Sequence, residues 1–184
     1  IYMEAQIFTP DSKRFVLHRS AHPHGSDKDD PDHRYLLCDI ENGCEMSPLT
    51  DETGATGPSI SPDGRWLAYW SDETGRPEIF VASYPPGGGK WQVSDGGGSW
   101  PAWSRDGRDL VYVLHEGTSW SLVLREHGQA EEILVTGDER IAGPSWRPDG
   151  TLIVFWWETE GGWRLEMVVL SEPRMVRQYA NGEA

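Results

Sequence analysis

Four histidines near the start of the chain are the residues best suited to metal chemistry. His18, His22, His24 and His33 lie in or beside a polar stretch, 20–33, that also carries four aspartates. Imidazole and carboxylate groups are ligands for zinc and manganese, and carboxylates also bind calcium. The spacing matches no stereotyped zinc pattern. Two interpretations therefore stay open: a site for a divalent metal (Mn, Zn or Ca), or a hydrophilic insertion that holds no ion.

A second set of residues could bind a ligand through charge and aromatic faces. Arginines, carboxylates and flat aromatic rings are typical of sites that bind proteins or carbohydrates. The predicted ligand-binding residues are Arg19, Trp70, Arg76, Trp100, His115, Glu116, Trp120 and Arg140. Trp156 and Trp163 lie beside the same loops. For tryptophans on strands, packing in the core is the competing interpretation.

Nucleophilic catalysis finds no support in the chain. The Gly-x-Ser-x-Gly motif, in which the serine acts as the nucleophile, is absent. No catalytic residue is assigned, and whether the protein is an enzyme stays open.

A repeated turn indicates which structural elements position these residues. Asp11, Asp63, Asp106 and Asp149 recur at spacings of 52, 43 and 43 residues, and the last three are each followed by glycine. Asp and Gly close a tight turn, and the alternating apolar residues that follow predict a half-buried strand. A period in the forties built from short strands is typical of β-propeller blades.

We therefore predict an all-β fold, a β-propeller with four recognisable four-stranded blades in a single domain or propeller fragment. The blades cover about 3–52, 53–96, 97–137 and 138–180, and we label their strands a to d. The b–c and d–a loops of a propeller share one face, which places the histidines and the predicted ligand-binding residues together. The Asp-Gly turns lie on the opposite face, where the aspartates are predicted to be structural.

The stretches 61–69, 78–81, 87–94 and 101–104 resemble the repeat of TolB-type (PD40, WD40-like) propellers. The resemblance covers blades 2 and 3 almost completely, blade 4 in its first half, and blade 1 more loosely, since Ser12 replaces the turn glycine. The same repeat occurs in oligogalacturonate lyases and in the propellers of prolyl-oligopeptidase-like enzymes. The resemblance implies a periplasmic or otherwise extracytoplasmic location, although the N-terminus shows no signal peptide.

The net charge limits which partners the chain can bind, and the spacing of the two cysteines bears on whether they form a disulfide. The formal net charge of −14 argues against a nucleic-acid partner, because phosphate binding needs a basic surface. No apolar run is long enough to span a membrane. Cys38 and Cys44 are predicted to be free thiols, because a hairpin turn at 41–43 would place Cys38 opposite about residue 47.

The sequence does not determine how four blades would complete a closed propeller ring. The chain could be part of a larger ring, could pair with a second copy through its open blade edges, or could close alone. The leading function is a non-catalytic binding or scaffold module that presents the b–c/d–a face to a protein or glycan. The alternatives are a metal-assisted polysaccharide lyase of the oligogalacturonate type, and the accessory propeller of a peptidase.

Overall fold

The chain is built from β-strands joined by short turns. The computed structural model describes residues 2–21, 33–50, 54–170 and 175–178, and this part contains no helix. The strands of its first half are β1 (Tyr2–Phe8), β2 (Arg14–Ser20), β3 (Arg34–Asp39), β4 (Glu45–Pro48), β5 (Thr56–Ile60), β6 (Trp66–Ser71), β7 (Glu78–Ser83) and β8 (Lys90–Gln92). Those of its second half are β9 (Ser99–Trp103), β10 (Leu110–Glu116), β11 (Ser119–Arg125), β12 (Glu131–Gly137), β13 (Ile141–Trp146), β14 (Leu152–Thr159), β15 (Gly162–Val169) and β16 (Met175–Gln178). The all-β prediction is confirmed.

Each group of four consecutive strands forms one antiparallel sheet. The sheets are β1–β4, β5–β8, β9–β12 and β13–β16, and in each the strands lie side by side in chain order. We call these sheets blades 1 to 4, as in the predicted propeller.

Apolar side chains on both faces of the inner blades pack the blades together. Residues of blade 2 such as Leu67 and Tyr69 pack with Val16 and Leu37 of blade 1. On the other face of the same strand, Ala68 packs with blade 3. This alternation follows from the two-residue period of a strand, and it explains why the strands are apolar on both sides.

Two repeat tryptophans also join neighbouring blades by hydrogen bonds. Trp103 Nε1 donates to the Ser59 carbonyl of blade 2 at 3.1 Å, and Trp146 Nε1 donates to the Ala102 carbonyl of blade 3 at 3.0 Å. Each indole is half-buried. Both tryptophans are packing residues that join one blade to the next.

The Asp-Gly turns hold the start of strand b. Asp63 Oδ1 accepts hydrogen bonds from Ser61 Oγ at 2.6 Å and from the Arg65 amide at 3.1 Å, and the Ser61 hydroxyl in turn accepts from the Trp66 amide at 2.9 Å. The hydrogen bond from Ser61 is the main reason why the pKa of Asp63 lies below its ordinary value. Asp106 is held in the same way. These aspartates are structural, as predicted.

The blades form an arc and not a closed ring. The first strands of blades 2, 3 and 4 contact one another in sequence, β5 with β9 and β9 with β13. Among the described residues, no comparable packing joins blade 1 to blade 4. The outer faces of the terminal blades expose apolar side chains, with Phe8 67% exposed on blade 1 and Trp156 45% exposed on blade 4.

The prediction of free thiols is wrong, because Cys38 and Cys44 form a disulfide with their Cα atoms 4.6 Å apart. The register does place Cys38 opposite Met46, close to the predicted residue. Cys44, however, ends the loop 40–44 in a left-handed conformation (φ +63°), and its amide donates to the Asp39 carbonyl at 2.7 Å. This conformation brings Cys44 back over β3, within the Cα separation that a disulfide requires.

Candidate functional site

A stack of aromatic and cationic side chains lies where blades 3 and 4 meet, on the b–c/d–a face. Arg140 immediately precedes β13, and its guanidinium carbon lies 5.8 Å from the ring centroid of Trp120 and 5.7 Å from that of Trp163. Trp120 lies near the start of β11 and Trp163 near the start of β15. Both distances are within the range of cation–π attraction. The arginine is therefore held between indoles of two different blades.

His115 extends this stack on the side of blade 3. Its ring lies 3.9 Å from that of Trp120, with an angle of 18° between the planes. His115 and Trp120 face each other across β10 and β11, where the register pairs them directly. The imidazole covers one face of Trp120, which leaves less flat surface there for a sugar ring. We call His115, Trp120, Arg140 and Trp163 the Arg140 stack.

The guanidinium of Arg140 keeps its donors available. Among the described residues, no acceptor receives a hydrogen bond from it, although its neighbour Glu139 accepts from Trp157 Nε1 at 2.8 Å. Arg140 is exposed. A planar guanidinium that lies against two indoles and has available donors is suited to bidentate binding of a carboxylate.

Trp100 breaks the blade repeat on the first strand of blade 3. It stands where blades 2 and 4 have Gly57 and Gly143, and all three residues precede a proline at a bulge in strand a. Their φ angles are +57°, +55° and +54° in chain order. A non-glycine residue in this region costs about 1–2 kcal/mol. The indole is 42% exposed, and a strained residue with an exposed side chain is a candidate for function.

Arg76 is also among the predicted ligand-binding residues, but its guanidinium forms hydrogen bonds within blade 2. Its Nε donates to Glu78 Oε1 at 2.6 Å, and its Nη2 donates to Asp95 at 2.9 Å. The Glu78 carboxylate is fully buried and also accepts from Ser94 Oγ and, at 3.1 Å each, from the amides of Gly96 and Gly97. Five hydrogen bonds thus tie the end of blade 2 to the connection that leads into β9.

The pKa of Glu78 reflects this arrangement. Burial alone would raise the pKa of the carboxyl group, but the hydrogen bonds from Ser94, the two glycine amides and Arg76 outweigh it. The pKa therefore lies below the ordinary value of 4.5, and the group is a buried anion at neutral pH. Nothing in the sequence analysis singled out Glu78, because its amide donors come from a loop whose path only the fold determines.

The other predicted ligand-binding residues lie apart from the Arg140 stack. Trp70 packs against the core between blades 2 and 3. Glu116 is exposed at the b–c turn of blade 3, where it pairs in register with Ser119. Arg19 lies on β2 of blade 1, opposite Arg34. Three of the predicted ligand-binding residues, His115, Trp120 and Arg140, therefore lie together in the Arg140 stack. Trp100 lies on β9, which contacts β13. The remaining residues lie at separate positions.

Two of the four predicted metal ligands lie together. The rings of His18 and His33 are 4.9 Å apart, and His18 stacks on Tyr35 at 5.0 Å. Both histidines are buried, on the side of blade 1 that faces blade 2. His22 and His24 lie outside the described residues, and within the described ranges no three His, Cys, Asp or Glu side chains are grouped to hold a metal. The metal site therefore stays a prediction.

Glu166 is a second buried carboxylate that the sequence analysis did not identify. It lies on β15 opposite Phe155, where the corresponding residues of blades 2 and 3 are Phe80 and Val123. It is 1% exposed, and within the described part of the chain neither oxygen accepts a hydrogen bond. Burial raises its pKa, and Arg164 Nε at 3.8 Å opposes the rise only weakly. A comparison of the blades at this position would have revealed it.

The sequence is similar to those of TolB proteins. The family model described as the TolB beta propeller domain (PD40) matches residues 2–183. A TolB homolog of Chlorobium chlorochromatii is 31% identical over 120 residues, which cover 64% of this chain and 27% of the relative. An uncharacterized protein of Agrobacterium fabrum is 29% identical over 126 residues, which cover 61% of this chain and 43% of the relative. The chain thus matches less than half the length of either relative.

Solved structures show the same fold. A protein described as a TolB from Agrobacterium tumefaciens superposes with a TM-score of 0.77 at 21% identity, over 98% of this chain and 62% of that one. An oligogalacturonate lyase from Vibrio parahaemolyticus gives a TM-score of 0.64 at 18% identity, over 95% of this chain and 52% of that one. No helix in the described part of the chain is long and apolar enough to cross a membrane. From the repeat, the four meandering sheets and the match over residues 2–183, the chain belongs to the TolB β-propeller family.

Proposed function

We propose that this propeller is a non-catalytic binding module that holds a partner protein on its b–c/d–a face, with Arg140 as the anchor for a carboxylate of the partner. The observation that carries the proposal is the position of Arg140 between Trp120 and Trp163. Binding energy in protein interfaces is concentrated in arginine, tryptophan and tyrosine side chains. An arginine and two tryptophans in one stack fit that description.

Contact of the arginine with two indoles is what makes the stack suited to binding. A free arginine loses rotamer freedom when it binds, and that loss reduces affinity. Here the two indoles already restrict the guanidinium, and cation–π attraction is worth about 0.5–1 kcal/mol at exposed sites. The donors of Arg140 can then pair with a carboxylate at a smaller entropic cost. Trp100, on the first strand of blade 3, adds exposed apolar surface to the same blade.

A protein partner fits these residues better than a glycan. Sugar rings stack on open indole faces, but His115 covers one face of Trp120 and Arg140 lies against both Trp120 and Trp163. A carboxylate on a protein segment needs only the edge of the guanidinium. The glycan interpretation is kept as an outcome of the test.

The experiment is a selection of phage-displayed random peptides on the 184-residue chain, followed by affinity measurements on chemically synthesised winners. We expect sequences enriched in Asp or Glu, and affinities about tenfold weaker for Arg140→Gln, because a hydrogen bond to a charged group is worth about 1.5–3 kcal/mol. The matched control is Arg147→Gln. Arg147 lies on the opposite face, in the turn of blade 4, paired with Asp149 at 3.1 Å.

Winners that bind Arg140→Gln as tightly as the unchanged chain would show that Arg140 is not the anchor. A glycan microarray is probed in parallel with both proteins. Binding to a glycan that Arg140→Gln loses, together with failure to select any peptide, would assign the face to carbohydrates and reject the protein partner.

The metal-assisted lyase is the competing proposal, and the close contact of His18 with His33 is the observation in its favour. It predicts heat on calorimetric titration with Mn²⁺, Zn²⁺ or Ca²⁺, and absorbance of an unsaturated uronate after pectic oligomers are added with Mn²⁺. His22→Ala or His24→Ala would abolish both signals. Absence of heat and absorbance with the unchanged chain would reject the lyase and leave the binding module in place.

A further inference from the structure

A buried glutamate lies in the interface between blades 3 and 4. Glu166 is 1% exposed and lies opposite Phe155 in the register of β14 and β15. Phe155 packs in one core with Val111 and Leu122 of blade 3, and Val168, two residues further along β15, belongs to the same core. Because alternate residues of a strand share a face, the Glu166 side chain lies on the side of blade 4 that packs against blade 3.

Apolar residues occupy the corresponding position in the other three blades. They are Leu36, Phe80 and Val123, and all three are buried. Within the described part of the chain neither oxygen of Glu166 accepts a hydrogen bond, and Arg164 Nε, at 3.8 Å, lies beyond hydrogen-bond distance. The glutamate therefore departs from the repeat without a compensating contact, and such departures are expected at functional positions.

Few charged groups surround Glu166. Arg164 lies on the same side of β15, and among the described residues its charge is the one that acts on the pKa of Glu166. Gln178 of β16, opposite Glu166 in the register, has no charge. The residues of β14 and blade 3 in the adjoining core do not titrate; they are Phe155, Ile153, Val111, Val113, Leu122 and Val135. The titratable groups at the margin of the interface are exposed; they are His115, Glu132 and Glu139.

Ionisation of Glu166 therefore opposes the packing of blade 4 on blade 3. Burial raises the pKa of this carboxyl above the ordinary value of 4.5. If blade 4 separates from blade 3, the carboxyl reaches water and its pKa returns to about the ordinary value. The protonated form thus favours the packed interface, and this contribution is lost as the pH rises through the raised pKa.

The same interface holds the Arg140 stack together. Arg140 contacts one indole from blade 3 and one from blade 4. Trp157, which lies opposite Arg164 in the register, donates to Glu139 at 2.8 Å, and Glu139 directly precedes Arg140 in the chain. Contacts thus lead from the buried carboxyl to the stack along one side of blade 4.

We propose that Glu166 makes the packing of blade 4 on blade 3 sensitive to pH, so that the Arg140 stack is held together in acid and loosens as this carboxyl group ionises. The effect on the stack rests on the proposed function, whereas the effect on the interface does not. A group that changes charge and lies between two packed elements is a recognised basis for such a switch.

The test is hydrogen exchange of the 184-residue chain, measured for single amides by NMR from about pH 5 to about pH 8. Protection is corrected for the intrinsic exchange rate, which gives the constant for opening. Relative to Glu166→Gln, the opening constant of the β14 and β15 amides should rise about tenfold for each pH unit above about 4.5, and level off once the pH exceeds the raised pKa. His115, Glu132 and Glu139 titrate in both proteins and cancel in the comparison.

Two further variants locate the effect. Glu166→Val introduces the residue type of blade 3 and should show the same pH dependence as Glu166→Gln. Glu160→Gln changes an exposed glutamate in the turn between β14 and β15 and should behave like the unchanged chain. Equal opening constants for the unchanged chain and Glu166→Gln at every pH would overturn the proposal. A difference as large in β6 of blade 2 as in β14 would also overturn it, because the glutamate would then act on the whole fold.

A second measurement tests the link to the Arg140 stack. A peptide selected for the stack, added at about 100 times its Kd, should raise the protection of the β14 and β15 amides about 100-fold, because opening of the interface separates the stack. A peptide that is weakened by Arg140→Gln but leaves this protection unchanged would overturn the link. Failure to select any peptide would reject the proposed function, and the exchange of the free chain would then decide the pH sensitivity of the interface.

Discussion

Glu78→Gln removes one buried charge and keeps the shape of the side chain. In the unchanged protein the carboxylate accepts from Ser94 Oγ, from the amides of Gly96 and Gly97, and from Arg76 Nε. A glutamine carbonyl oxygen in the place of Oε1 still accepts from the two amides and from Arg76, but the NH₂ group then faces the hydroxyl of Ser94. One of the four hydrogen bonds is therefore lost, and the other three, including that of Arg76, no longer end on a charged group.

The expected loss of stability follows from these contacts. A hydrogen bond to a charged group contributes about 1.5–3 kcal/mol, and a buried donor left without an acceptor costs about 1–3 kcal/mol. Arg76 is half exposed, so water takes over part of its share. We expect Glu78→Gln to lower the free energy of unfolding by about 3 kcal/mol near neutral pH, measured by urea denaturation.

The pH dependence of stability distinguishes the loss of the Glu78 charge from a change in side-chain packing. The folded-state pKa of Glu78 lies below the ordinary value of 4.5, so its stabilisation is fully present above about 4.5 and is lost as the pH falls through the folded value. The difference between the unchanged protein and Glu78→Gln should accordingly shrink below that pH. Asp63 and Asp106 also have lowered pKa values, but they titrate in both proteins and cancel in the difference.

The control is Glu116→Gln, which changes an exposed glutamate and should leave stability within about 0.5 kcal/mol. A difference for Glu78→Gln that is as large in acid as at neutral pH would refute the reasoning. In that case packing, and not the charge, would be what the substitution disturbs.

Further predictions concern stability and assembly. Glu166→Leu should stabilise the protein by about 1–3 kcal/mol in urea denaturation, because burial raises the pKa of this carboxyl and its ionisation destabilises the fold increasingly as the pH rises through the folded value; a gain that does not grow with pH would contradict this. Ser12→Gly should stabilise by about 0.5–1 kcal/mol, since Ser12 has φ +58° at the turn position that is glycine in the other blades; unchanged stability would show that the turn is unstrained. Gly57→Ala should cost about 1 kcal/mol more than Gly43→Ala, since both have positive φ but only at Gly57 would a Cβ meet another residue, Trp70 Nε1 at 2.9 Å; equal losses in thermal unfolding would reject the clash. The exposed apolar faces of blades 1 and 4 should drive association of the chain, so a monodisperse monomer with a high melting temperature in light scattering would contradict the expectation of further blades or a second copy.

The three positions at the strand-a bulge show how one repeat accommodates different residues. In blades 2 and 4 the glycine allows a tryptophan of strand b to lie close, Trp70 over Gly57 and Trp156 over Gly143. In blade 3 the tryptophan is Trp100 itself, and strand b has the smaller Val113 opposite Ser99. The bulge therefore carries one indole in each of these blades, supplied by either strand.

The turns and strands of this protein are determined by the sequence itself. Asp63 and its counterparts act within five residues of chain, so the corner they form can be recognised without knowledge of the fold. The alternation of apolar residues likewise predicts each strand and its two buried faces, because the period of a strand is local. These local signals, repeated four times, are sufficient to predict the propeller architecture.

Contacts between distant residues were decided only by the tertiary structure. Arg140 meets Trp120 and Trp163 because blades 3 and 4 pack side by side, and no spacing in the chain encodes that approach. The disulfide of Cys38 depends on the left-handed backbone of Cys44, which the expected hairpin turn did not include. Side-chain contacts of this kind depend on the relative placement of whole sheets and on single backbone angles, and neither is fixed by the local pattern that specifies the strands.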